Sequence, residues 1–66
     1  MNNFSGMTVN ERLFTIDRIE DFDRAIEGRN RLEAIRILQE VELSATEAES
    51  ILAAIENNPG KYGYPR

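Results

Sequence analysis

The 66-residue chain has no histidine, no cysteine and no tryptophan. Without cysteine no disulfide can staple the fold, and with histidine also missing no Cys/His set can hold zinc. Without histidine there is no Ser-His or Cys-His nucleophile pair, and no side chain titrates unperturbed near neutrality. Lysine occurs once, at Lys61. No apolar run approaches the roughly 20 residues of a membrane-spanning helix. No alternating apolar and polar run supports a strand, and no repeat or low-complexity segment is evident. These absences predict a chain that is not an enzyme and carries neither cofactor nor metal.

What is present bounds the answer from the other side. Apolar residues make up 41% of the chain, enough for one small core. A domain of this size buries only about 60% of the surface its unfolded chain exposes, so its core must suffice or a second copy must help. Twelve acidic against eight basic side chains give a formal charge of -4. That balance argues against a nucleic acid partner, which asks for a basic stripe, and against an anionic membrane. The first residues show no basic region followed by an apolar segment, so a cytoplasmic address is expected.

Four places share one pattern: Thr8-x-x-Glu11, Asp17-x-x-Glu20, Asn30-x-x-Glu33 and Ser44-x-x-Glu47. Each pairs a helix-capping residue with a Glu three positions on. The cap accepts from an early helix N–H, and the Glu reaches back to the cap's own N–H. At about 100° per residue, Val9, Leu13 and Ile16 lie nearly opposite Ile19, Phe22, Ala25 and Ile26. One straight helix would then be buried all round, against its wealth of Asp, Glu and Arg. A break near Asp17 is therefore expected, giving helix 1 at about 9–16 and helix 2 at about 18–28. Gly28 suits a left-handed turn at the end of helix 2. Helix 3 covers about 31–42, with a wide apolar face of Ala34, Ile35, Ile37, Leu38 and Val41, and Leu32 at another angle. Helix 4 covers about 45–57, with a stripe of Ala45, Ala48, Ile51, Leu52 and Ile55, and ends at Asn57-Asn58-Pro59-Gly60. The expected fold is all-α, a compact bundle of four helices with helix 3 central. Residues 1–7 are expected as a flexible leader, 8–58 as a single helical domain and 59–66 as a tail. In that tail Tyr62 is expected to cover the bundle end, with fraying after Gly63.

The opening Met7-Thr8-Val9-Asn10-Glu11-Arg12-Leu13-Phe14 and the ending Asn58-Pro59-Gly60-Lys61-Tyr62-Gly63-Tyr64 resemble a group of small bacterial proteins of uncharacterised role. Those proteins start M-T-V-N-E-R-L-[FY] and finish near P-x-[KR]-Y-G-[FY]. Their E-F-D-x-A stretch is similar to Glu20-Asp21-Phe22-Asp23-Arg24-Ala25, with one residue's difference. The resemblance covers roughly Met7 to Tyr64. It implies no activity, so no functional residue is carried over. Similar members have Gly-Leu-Leu where this chain has Asp17-Arg18-Ile19, and a Gly there would fit the break.

The candidate partner-binding residues are Asp17, Glu20, Asp21, Asp23 and Glu27, which gather on the outer face of helix 2 with only Arg24 among them. One reading is a docking strip for a basic protein, steered by charge. The other is a solvated face, partly neutralised by a Glu20–Arg24 pair at i,i+4. Phe14 lies off the helix 1 stripe. It either closes the core between helices 1 and 2 or stands exposed as an anchor for a partner. The carboxylates lack the sharp Gly turn of a Ca²⁺ loop, and their spacing is helical. As a DNA-reading helix, Ala45-Thr46-Glu47-Ala48-Glu49-Ser50 would bring two glutamates and no Arg or Lys to phosphate. The expected function is that of a small acidic protein-protein interaction protein, in its sharper form an immunity- or antitoxin-type inhibitor of a basic effector. The alternative is a structural or adaptor homodimer, joined through leftover apolar groups such as Phe14 and Leu32.

Overall fold

The computed structural model describes residues 4–64. Four helices follow in order: α1 (Val9–Thr15), α2 (Ile19–Glu27), α3 (Arg31–Glu40) and α4 (Ala45–Asn57). A 3₁₀ turn, Pro59–Tyr62, comes after them. Among the described residues there is no strand, and no helix is long and apolar enough to cross a membrane. The fold is an all-α bundle with α3 at its centre, packed against both α2 and α4.

The core follows the apolar stripes. Leu13 enters it from α1, Phe22 and Ala25 from α2, and Ala48, Leu52 and Ile55 from α4. Ala34, Ile37 and Leu38 of α3, with Val41 just past its end, have no exposed surface at all. No polar or charged residue is buried among the described residues. Removing Leu38 down to Ala in such a site costs about 2–5 kcal/mol, a large share of a small domain's stability.

Three of the four capping signals operate. Glu11 N–H donates to Thr8 Oγ1 at 3.2 Å, and Thr8 N–H donates to Glu11 Oε1 at 2.8 Å. Ser44 and Glu47 form the same reciprocal pair at 3.1 and 2.9 Å. Asn30 Oδ1 accepts from Glu33 N–H at 3.2 Å. The fourth signal does not act as a cap. Arg18, one residue later, is the N-cap of α2 and makes no side-chain capping bond.

Asp17 instead closes the helix before it. It takes φ 58°, donates its N–H to Phe14 C=O at 3.1 Å, and is followed by Arg18 N–H donating to Leu13 C=O at 2.9 Å. That bond pair is a Schellman ending, with its left-handed residue at Asp17. The end of α2 repeats it one residue beyond the expected glycine. Gly28 N–H still donates to Arg24 C=O at 2.9 Å, so Gly28 remains half in the helix at φ -84°. Arg29 takes the left-handed position at φ 57°. Glu42 does so after α3, at φ 66°, which ends that helix at Glu40 and leaves Val41 to fill the core from the turn.

Two expectations at the chain ends change. Phe4 was placed in a loose leader, yet it is 4% exposed and belongs to the core cluster. The outer parts of the expected leader and tail, residues 1–3 and 65–66, lie outside the described residues. In the tail the two tyrosines exchange roles. Tyr62 is 45% exposed, while Tyr64, beyond the expected point of fraying, packs on the core. The cause is Gly63, whose φ of 86° reverses the chain and returns Tyr64 N–H to Pro59 C=O at 3.0 Å.

The left-handed arginine carries a measurable cost, since only glycine enters that region freely. Arg29→Gly is expected to stabilise the fold by about 1 kcal/mol, a rise in melting temperature of about 4–8 °C at this chain length. Thermal unfolding of the two proteins checks it. The reciprocal caps predict acid sensitivity. Glu47 is held below its ordinary value of 4.5 by the Ser44 N–H and hydroxyl, and Glu11 is lowered in the same way by Thr8. A lowered folded value means that the stabilisation is present above the ordinary value and is lost as pH falls through the folded one. The melting temperature should therefore drop as pH falls below about 4.5, and Glu47→Gln, which can still reach back but cannot titrate, should flatten that drop.

Candidate functional site

The five acidic residues singled out from the sequence do not act as one strip. Asp21 is held by two arginines, with Oδ2 at 2.7 Å from Arg18 Nη1 and Oδ1 at 3.4 Å from Arg24 Nη1. The expected Glu20–Arg24 pair is thus replaced by an i,i+3 pair. Asp23 Oδ1 accepts the phenol hydroxyl of Tyr64 at 2.6 Å. Only Asp17, Glu20 and Glu27 are exposed with side chains that make no hydrogen bond or ion pair among the described residues.

Arg18 organises the neutralised part. Its Nη2 lies 3.0 Å from Glu40 and 3.9 Å from Glu33, so one side chain joins the start of α2 to two turns of α3. Burial works against its charge, but Glu40 and Asp21 outweigh that and hold the proton more tightly than usual. Its Nε is buried without a partner, a cost the surrounding carboxylates offset.

Arg12 is a second tie. Its Nη1 donates to Val41 C=O at 3.1 Å and its Nε to Met7 C=O at 3.3 Å. Its guanidinium carbon sits 5.7 Å from the Phe4 ring centroid, within cation–π range. The incoming segment, α1 and the end of α3 therefore meet at one side chain.

Phe14 resolves to the exposed alternative. It is 76% exposed on α1, and Leu32 is 64% exposed on α3. A third feature lay beyond sequence reasoning. Two open grooves of about 550 Å³ each flank Tyr64, one toward the α2–α3 turn and one toward the start of α1. The first is lined by Glu27, Arg29, Arg31 and Glu56 together with Ala25, Ala34, Leu52 and Ile55, and Arg31 pairs with Glu56 at 3.1 Å. Among the described residues no three metal-binding side chains converge. The arrangement offers charge and apolar surface for contact.

No protein-family model, no curated protein and no solved structure matches the chain.

Proposed function

We propose that the chain is a small, acidic, non-enzymatic protein that acts by binding another protein, as an inhibitor of immunity or antitoxin type masking a basic effector in the cytoplasm. The observation that carries this reading is the division of the acids on α2. Asp21 and Asp23 are used within the fold, whereas Asp17, Glu20 and Glu27 are left exposed and unneutralised. Unneutralised acids attract a basic surface at long range and raise its rate of encounter. Phe14, exposed on the preceding helix, supplies the kind of aromatic anchor that carries binding energy. Membership of the small bacterial proteins that the chain resembles is part of the same reading.

Glu20→Lys with Glu27→Lys tests it, because neither side chain makes a hydrogen bond or ion pair with Asp21, Asp23 or Tyr64. Wild-type protein should capture a basic protein from the source lysate at low salt and release it at high salt. The reversed variant should capture none while melting at the same temperature. Equal capture by both rejects the docking role of α2.

A second reading has its own observation. Phe14 and Leu32 are both large, apolar and mostly exposed, as expected if a copy of the chain covers them. Sedimentation at micromolar concentration then gives twice the chain mass, and Phe14→Ser halves it. A monomer under those conditions removes the homodimer.

A further inference from the structure

Beyond α4 no described residue is fully buried. None of Pro59–Tyr62 is buried, and Lys61, Tyr62 and Gly63 are exposed. The segment returns to the body through Tyr64. Its ring packs partly buried on the core, and its hydroxyl donates to Asp23 Oδ1 across 41 residues of sequence. Both grooves beside it are walled by Ile55 and Tyr64. One is floored by Ala25, Ala34 and Leu52, the other by Val9, Phe22 and Ile51. Tyr64 thus lies between two grooves whose linings mix apolar and polar residues. The five largest fully buried side chains, Leu13, Ile37, Leu38, Val41 and Leu52, all precede the segment.

We propose that residues 59–64 form a detachable strap, latched by the Tyr64–Asp23 hydrogen bond, whose release joins the two grooves that flank Tyr64 while the four helices stay folded. Local opening of this kind draws on segments with few buried apolar contacts, and the strap is the described segment that fits. Burial, reinforced by Asp23 and Glu27, keeps the phenol protonated where a free tyrosine would begin to ionise. Gly63 is the one position where the reversal demands glycine, so the strap's return path is set by the backbone as well as by the latch.

Lys61 is the chain's only lysine, so a lysine-specific protease cuts the chain at one place, within the strap. Lys61 sits in a 3₁₀ turn whose closing hydrogen bonds must open for cleavage, and if that opening needs the latch released the rate follows, with fast reclosing, the open population. Tyr64→Phe keeps the ring and deletes the latch. It should speed cleavage about tenfold with little change in the urea midpoint of the whole domain. In an Asp23→Ala background the same substitution should have no further effect. Wild-type cleavage should also rise only shallowly with urea, because strap opening exposes little surface. The proposal is overturned by an unchanged cleavage rate in Tyr64→Phe, by a full Tyr64→Phe effect in the Asp23→Ala background, or by a urea dependence as steep as global unfolding.

Discussion

Ala34, Ile37, Leu38 and Val41 are shut off from solvent entirely, and α3 can bury that arc only if α2 and α4 cover it from two sides. Most other features answer to that demand. A helix of ten residues is about 15 Å long, so its neighbours must turn back sharply to run along it. The link from α2 has three residues and the link to α4 has four, and each is closed by a left-handed residue, Arg29 and Glu42. Backbone strain at the turns is therefore the counterpart of close packing at the centre.

The charges tell a related story. An acidic chain with no buried polar residue among those described must neutralise its acids at the surface or leave them to solvent. Arg18 gathers Asp21, Glu33 and Glu40, and Arg12 turns to backbone carbonyls and the Phe4 ring instead. Exposed ion pairs contribute little one at a time, and one arginine shared among several carboxylates does more by fixing where α2 meets α3. The face expected to be acidic with only Arg24 among its acids is consequently divided. Asp21 and Asp23 are tied into the fold, and Asp17, Glu20 and Glu27 are exposed.

How much of this was legible follows from the range of each interaction. Helix number and the break before Arg18 rest on apolar period, which the sequence displays directly. The Thr8, Asn30 and Ser44 caps rest on a partner three residues away. Asp17-x-x-Glu20 carries the same signature and does something else, because the end of α1 claims Asp17 before α2 can use it. Phe4 had no periodic neighbours to announce its burial. The exchange between Tyr62 and Tyr64 turned on the dihedral angle of a single glycine. The Arg18 and Arg12 contacts depend on how helices register in space, as does the placing of Asp23 opposite Tyr64. Thus the architecture was readable, while the division of the acidic candidates into structural and exposed was not.

The span of these contacts also bears on the order of assembly. Arg18 meets Glu40 across 22 residues, Arg31 meets Glu56 across 25, and Arg12 meets Val41 across 29. These are long-range ties in a fold whose close contacts are mostly local, as in helical bundles that fold in microseconds to milliseconds. The tie between Asp23 and Tyr64 spans 41 residues and closes only once α2 and α4 are in place to present its two ends. Its entropy of closure is therefore largely met by the helices themselves, since a preformed bundle shortens the effective loop to the few residues after Asn58. The segment that ends at Tyr64 thus docks on a surface the helices have already built.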